Sequence, residues 1–303
     1  MGGLTTLSGF QYVAPMDLAA AATALRDAEG RARVLAGGTD ILVQLREGMR
    51  DADLLVDVKK IPELVELEYS ADAGLRLGAA TPCYQIYTNA EVVNAYPALV
   101  DATRIIGGWQ IQSRASVGGN LCNSSPAADG IPPLMVHQAV CHLAAADGRR
   151  SVPVNDFCTG PGTNTLSPGE LLATITLPPS PPGSGSAFQR FIPRNEMDIA
   201  VASAASWIEL NEAGDTIQAA RVALGAVAPT PVLADEAGQF LVGKAPNEDN
   251  FAEAGVLARK VASPIDDMRG TVEFRVHLVG VLTQRTLALA YQRAQDGAGH
   301  TGH

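Results

Sequence analysis

The segment Leu-Ala-Gly-Gly-Thr-Asp-Ile-Leu, residues 35–42, lies between a predicted strand and a predicted helix. Residues 33–36 are mainly apolar, which is typical of a short strand, and the glycine pair that follows is typical of a tight turn. Thr39 or Asp40 can cap the next helix, which we predict over residues 41–46. A further helix at 18–28 and a strand at 54–58 complete an alternation that predicts a small α/β unit.

A second glycine pair lies in Ala-Ser-Val-Gly-Gly-Asn-Leu, residues 115–121, and Pro126 and Asp129 follow it. Paired glycines let a backbone approach a ligand closely, and successive free amides form a cradle suited to phosphate. Each pair alone is most often a plain connection, but two such turns could hold a pyrophosphate from both sides. Neither segment is a G-x-G-x-x-G or G-x-x-x-x-G-K-[ST] motif, so any bound dinucleotide requires another fold.

Composition limits the classes of function. The 303 residues include 22 Lys and Arg against 32 Asp and Glu, which gives a net charge of −10. A surface this acidic repels nucleic acids and anionic lipids, so we expect neither nucleic-acid binding nor direct membrane insertion. No apolar run is long enough to span a bilayer and no secretory signal is evident, which predicts a cytoplasmic protein.

The reactive side chains form no recognisable catalytic or metal motif. The four cysteines include no C-x-x-C pair, so we predict reduced thiols, no metal site and no iron–sulfur cluster in this chain. His137 and His142 are interpreted as structural. No nucleophile–base pair or close carboxylate pair is evident, and we assign no catalytic residue.

The domain organisation follows from a break in composition. Residues 178–185 are dense in proline, glycine and serine, which is typical of a linker. Strands followed by helices after this segment predict a separate α+β module over 186–292. We therefore predict an α+β protein with a first domain over 1–178, divided into subdomains of about 1–60 and 61–178, and a flexible tail over 293–303.

The two glycine motifs, in their order and spacing, resemble the FAD-binding medium subunit of the molybdenum hydroxylases, the group that includes xanthine dehydrogenase and aerobic carbon monoxide dehydrogenase. Residues 188–200, 223–231 and 265–270 are similar to signatures of that family's C-terminal flavoprotein module. The resemblance covers about residues 10–290. It implies a PCMH-type FAD-binding domain of two α/β subdomains, followed by an α+β C-terminal flavoprotein module.

The resemblance also implies roles for individual residues. Asp129 falls where the family contacts the adenosine portion of FAD, Leu172 where it packs on the dinucleotide, and Arg190 where it places a cation near the flavin. A simple turn, a core strand residue and a surface cation are the respective alternatives. Ile106 falls where some relatives carry an aromatic residue beside the isoalloxazine. The complete set of implied FAD contacts is Leu35, Ala36, Gly37, Gly38, Thr39, Asp40, Ile41, Ile106, Ser116, Val117, Gly118, Gly119, Asn120, Asp129, Leu172 and Arg190.

The function implied by this resemblance is that of an oxidoreductase subunit that transfers electrons. A large partner subunit would hold molybdopterin, a small partner would hold two [2Fe-2S] clusters, and FAD on this chain would pass electrons to an external acceptor. The expected assembly is a heterotrimer or a dimer of heterotrimers. Two alternatives remain: a stand-alone FAD-dependent oxidase or reductase of the same superfamily, and an assembly subunit that has lost its flavin.

Overall fold

The computed structural model describes residues 9–194 and 197–298. The first glycine turn follows a strand of the first sheet. This sheet is parallel and three-stranded, in the order β1–β3–β2. Asp17 caps the first helix, its side chain accepting a hydrogen bond from the Ala20 amide at 2.8 Å. The elements are β1 (Gln11–Val13), α1 (Leu18–Asp27), β2 (Ala32–Leu35), α2 (Ile41–Arg46) and β3 (Leu54–Asp57). The predicted α/β alternation of the N-terminal unit is confirmed.

The second sheet is antiparallel and five-stranded, in the order β4–β5–β10–β6–β7. Pro97 separates two of its helices and begins the second of them, because proline is tolerated in the first turn. The elements are α3 (Pro62–Val65), β4 (Leu67–Ser70), β5 (Gly74–Gly78), α4 (Cys83–Thr88), α5 (Ala90–Ala95), α6 (Pro97–Thr103), α7 (Val117–Asn123), α8 (Ile131–Val136), β6 (Val140–Ala145), β7 (Gly148–Pro153), β8 (Cys158–Gly160), β9 (Thr163–Asn164) and β10 (Leu171–Leu177). The second glycine turn therefore opens α7.

The C-terminal part is an antiparallel four-stranded sheet, ordered β11–β12–β13–β14, with helices after it. This order confirms the predicted succession of strands and then helices. The first strand begins at Ser184, inside the segment predicted as a linker. The elements are β11 (Ser184–Phe191), β12 (Ala202–Leu210), β13 (Ile217–Gly225), β14 (Val232–Leu233), α9 (Asp235–Leu241), α10 (Glu248–Ala258) and α11 (Val272–Ala298).

The end of the chain differs from its prediction. A flexible tail was predicted over 293–303, and the structure places residues 293–298 in α11, which continues to Ala298. Arg293 anchors this part of the helix: its guanidinium donates to both carboxylate oxygens of Asp101, at 2.7 and 2.9 Å, and to the Ser186 carbonyl at 2.8 Å. Residues 299–303 lie outside the described part of the chain.

The C-terminal sheet and the five-stranded sheet share one hydrophobic core. Phe188, Trp207 and Ala223 of the C-terminal sheet pack in the same buried cluster as Leu99 and Leu134. The guanidinium of Arg221 lies 3.6 Å from the centre of the Trp207 ring, and Arg221 also donates to the Val136 carbonyl. The two parts of the molecule are thus joined by apolar packing as well as by polar contacts. Among the described residues, no helix has both the length and the apolar composition needed to cross a membrane.

Candidate functional site

A cavity of about 460 Å³ lies where the N-terminal unit meets the five-stranded unit, and both glycine turns line it. Its volume is in the usual range for small-molecule and cofactor sites. The predicted site residues found in its lining are Ala36, Gly37, Gly38, Thr39, Asp40, Ile41, Ile106, Ser116, Gly118, Gly119, Asn120 and Leu172. Folding therefore brings together two motifs that are separated by about 80 residues in the sequence.

The first turn is packed backbone to backbone against the segment that precedes the second turn. A β-carbon at Gly37 would lie 2.1 Å from the carbonyl oxygen of Arg114, so no side chain fits there without separating the two segments. Asp40 occupies the N-cap position of α2, but its side chain makes no capping hydrogen bond, contrary to one of the two predicted caps. Within the described chain, the amides of residues 37–40 donate no hydrogen bond, and these donors are available to an anionic ligand.

The second turn adds neutral side-chain donors. The Ser116 side chain caps α7 by accepting from the Gly119 amide at 3.1 Å, which leaves the Ser116 hydroxyl hydrogen free to donate. The Asn120 side-chain oxygen accepts from the Gly130 amide at 3.0 Å, whereas its Nδ2 has no acceptor among the described residues. Both turns together present hydrogen-bond donors to one cavity, and this arrangement fits a pyrophosphate.

A lysine that the sequence analysis missed holds the first turn in place. Lys59 Nζ donates to the Ala36 carbonyl at 2.9 Å and to Asp57 Oδ1 at 2.7 Å. The Tyr12 hydroxyl donates to Asp57 Oδ2 at 2.6 Å. Partial burial would raise the pKa of Asp57, but the hydrogen bonds from Lys59 and Tyr12 outweigh it and hold that pKa below its usual range. No motif links these residues, which meet only because β1 and β2 flank β3.

The cavity lining includes two cations that the sequence analysis also missed. Arg33 and Arg50 both line it. Arg33 Nη1 donates to the carbonyls of Gly30 and Ala32 at 2.8 Å, while its Nε is buried without a partner among the described residues. Arg50 makes only a long contact of 3.4 Å to the Gly162 carbonyl. Guanidinium groups complement the negative charge of a dinucleotide.

Four predicted contacts are not among the described residues that line the cavity. Leu35 is buried at the end of β2, and Val117 packs in the core of the five-stranded unit. Arg190 Nη1 donates to Asp129 Oδ2 in a contact that leaves both side chains more than nine-tenths buried. Asp129 was predicted at the adenosine and Arg190 at the flavin, which are opposite ends of an extended dinucleotide. The structure places these two side chains in contact with each other, and both assignments stay predictions.

The buried carboxyl of Asp129 predicts a measurable pH dependence. Burial raises the pKa of Asp129 to about 7, although the Arg190 guanidinium favours the charged form. An unfolded aspartate titrates near ~3.9, so the stability from this group is complete below that pH and is lost as pH rises through about 7. We expect the free energy of unfolding of the wild type to fall relative to that of Asp129→Asn between about pH 4 and 7, the interval between the unfolded and folded pKa values of Asp129. The measurement is the free energy of unfolding in denaturant as a function of pH for both proteins. The same pH dependence in the wild type and in Asp129→Asn would contradict this expectation.

Comparison with known families agrees with the two-part organisation. Residues 8–180 match the FAD binding domain in molybdopterin dehydrogenase, and residues 187–290 match the CO dehydrogenase flavoprotein C-terminal domain. The xanthine dehydrogenase FAD-binding subunit of Escherichia coli O157:H7 is 32% identical over 265 residues, covering 87% of this chain and 90% of that subunit. The carbon monoxide dehydrogenase medium chain of Afipia carboxidovorans is 31% identical over 288 residues, covering 95% and 98% of the two chains.

Solved structures show the same architecture. A chain of Cu,Mo-CO dehydrogenase superposes with a TM-score of 0.89 at 30% identity, covering 94% of this chain and 98% of that one. A chain of quinoline 2-oxidoreductase from Pseudomonas putida 86 superposes with a TM-score of 0.87 at 31% identity, covering 95% and 98%. The two matched regions of the sequence lead to one conclusion, and the cavity and the fold agree with it. The chain belongs to the FAD-binding medium subunits of the molybdenum hydroxylases, which are oxidoreductases of the xanthine and carbon monoxide dehydrogenase family.

Proposed function

We propose that this chain carries FAD and transfers electrons within a molybdenum hydroxylase complex. It receives them from [2Fe-2S] clusters on a small partner subunit, while a large partner subunit holds molybdopterin and acts on the organic substrate. The observation that supports this best is the meeting of two donor-rich glycine turns at one cavity. The assembly we propose is a heterotrimer or a dimer of heterotrimers, and the final electron acceptor is external.

The proposed binding residues contact different parts of the dinucleotide. The amides of residues 37–40, the Ser116 hydroxyl and Asn120 Nδ2 would hold the pyrophosphate, and Arg33 and Arg50 would lie toward one end. Ile106 is 7% exposed and Leu172 is 4% exposed, so both would exclude water from the apolar parts of the cofactor. Bound FAD supplies redox chemistry that accepts single electrons and delivers pairs. The division into domains at 178–186 is part of the same proposal, and the separate sheets on either side support it.

Two titratable groups of the cavity are unsuited to organic catalysis by this chain. Glu170 is bound by Arg150 through two hydrogen bonds of 2.7 Å, which hold the pKa of Glu170 below its usual range. Burial raises the pKa of the Cys122 thiol to about 12, so this thiol stays protonated and unreactive. These two groups are therefore unsuited to act as a general base or a nucleophile, whereas burial raises the pKa of Asp40, which also lines the cavity.

Removing the lysine beneath the first turn is expected to weaken FAD binding. Lys59→Met deletes the hydrogen bond to the Ala36 carbonyl and leaves Asp57 without its cation. Charge-assisted hydrogen bonds contribute ~1.5–3 kcal/mol, so we expect FAD affinity to fall by about tenfold or more. The measurement is a flavin titration of the flavin-depleted protein. Lys60→Met is the matched control, because the exposed Lys60 side chain has no ion pair or hydrogen bond with the described residues. Equal losses in both variants would contradict the proposed anchoring.

The decisive test of the proposed function is a cofactor analysis of the assembled complex. The chain is expressed with the partner genes, and the visible spectrum is recorded before and after acid release of the flavin. We expect one FAD per copy of this chain, with iron–sulfur bands that remain after the flavin is released. Turnover of an organic substrate by the purified chain alone would favour a stand-alone oxidase, and a colourless chain would favour a flavin-free assembly subunit.

A further inference from the structure

A buried contact joins the C-terminal sheet to the loop that follows the second glycine turn. Arg190 on β11 and Asp129 in that loop are 7% and 9% exposed, and they form a direct ion pair. A second bond crosses the same boundary, because the Ala226 amide donates to the Pro126 carbonyl at 2.7 Å. The loop over residues 126–130 is thus held from one side by the C-terminal module.

The other side of this loop holds a residue of the cavity. The Gly130 amide, next to Asp129, donates to the side-chain oxygen of Asn120 at 3.0 Å. This bond orients the Asn120 amide, which lines the cavity and whose Nδ2 donor has no acceptor among the described residues. The position of the loop therefore decides both where this donor lies and which end of the amide a ligand meets.

The ion pair is the side-chain contact through which the C-terminal sheet holds this loop. Asp129 Oδ2 is bound by Arg190, whereas Oδ1 is buried without a partner among the described residues. Loss of the guanidinium would leave the whole carboxyl buried and unpaired, which is costly enough to displace the loop. Since neither Arg190 nor Asp129 is among the described lining residues, their effect on a ligand has to pass through Asn120.

We propose that Asp129 and Arg190 are positioning residues through which the C-terminal module sets the cofactor affinity of the N-terminal domain, by fixing the Asn120 amide with its donor toward the cavity. This inference rests on the proposed function, because it takes FAD as the ligand. The C-terminal sheet would thus affect cofactor binding although it does not contact the cofactor.

The test is a double-mutant cycle on FAD affinity in the full-length, flavin-depleted chain, measured by flavin titration. We expect Arg190→Met to weaken FAD binding by about tenfold, the scale of one lost hydrogen bond, and Arg190→Lys to recover part of the loss. Asn120→Ala also weakens binding, and adding Arg190→Met to it has no further effect, because both changes remove the same donor. The unfolding midpoint of the flavin-depleted variants separates this coupling from a general loss of stability.

Other outcomes would overturn the inference. An Arg190→Met effect of the same size in the Asn120→Ala background would mean that Arg190 acts on the cofactor directly. Unchanged FAD affinity in Arg190→Met would mean that the pair positions nothing. If Arg190→Met does not fold, the same cycle is run with Asp129→Asn, which keeps the side-chain size. A wild-type chain that binds no FAD would overturn the proposed function itself, whereas a wild type that binds FAD with no coupling would overturn only the positioning role.

Discussion

Replacing Gly37 with alanine is expected to leave the purified protein almost without FAD. The added β-carbon would lie 2.1 Å from the Arg114 carbonyl oxygen and 2.6 Å from its carbonyl carbon. Both are backbone atoms, so the clash is relieved only if the first glycine turn moves away from the segment that leads into the second. Overpacking of this kind costs ~1–3 kcal/mol or more, and here it separates the two halves of the cradle. We expect FAD affinity to fall by about a hundredfold.

The measurement is the ratio of flavin to protein absorbance after purification, followed by a flavin titration. Gly119→Ala is the matched comparison in the other turn. Its β-carbon would meet only the Ser116 hydroxyl oxygen, at 3.1 Å, a contact that a small shift relieves. We expect this variant to retain most of its FAD. Equal losses in the two variants would show that filling the cavity, and not separating the turns, determines the effect.

Replacing Gly185 with alanine is expected to destabilise the C-terminal module severely. Gly185 lies on β11 where α11 crosses it, and a β-carbon would lie 2.1 Å from the Ala290 carbonyl oxygen and 2.5 Å from the Ala294 amide nitrogen. The helix would have to move off the strand, which opens the core that contains Leu287 and Ala290. Large destabilisations arise from overpacking of this type, and we expect a loss of ~3 kcal/mol or failure to fold.

Denaturant unfolding of the full chain, followed by circular dichroism, measures this effect. Gly148→Ala is the control, because a β-carbon at Gly148 would meet nothing within 4 Å. We expect the control to unfold within about 0.5 kcal/mol of the wild type, as for ordinary surface substitutions. A Gly185→Ala variant as stable as the control would show that α11 can shift on the sheet at little cost.

The glycine turns were found from the sequence because local chemistry specifies them. A glycine pair between an apolar run and a capped helix is visible in residues 35–42 alone, and the predicted helix over 41–46 is the observed α2. The antiparallel pairing of β10 with β5 and β6 is different, since the strands are far apart in sequence. The resemblance pointed to Leu172, but the folded sheet is what brings Leu172 to the cavity lining, whereas Thr174 two residues later is fully buried.

The sequence by itself determined the family, the α+β class and the two glycine turns that line the cavity. Each glycine motif is a short continuous segment, and its own residues set its backbone conformation. The tertiary structure alone decided which polar groups support these motifs. Lys59 reaches Ala36, Arg190 reaches Asp129, and Arg33 and Arg50 come to line one cavity only after distant parts of the chain have packed together. Buried polar groups need hydrogen-bond partners, and these partners are often far away in the sequence. A local sequence pattern therefore cannot predict them.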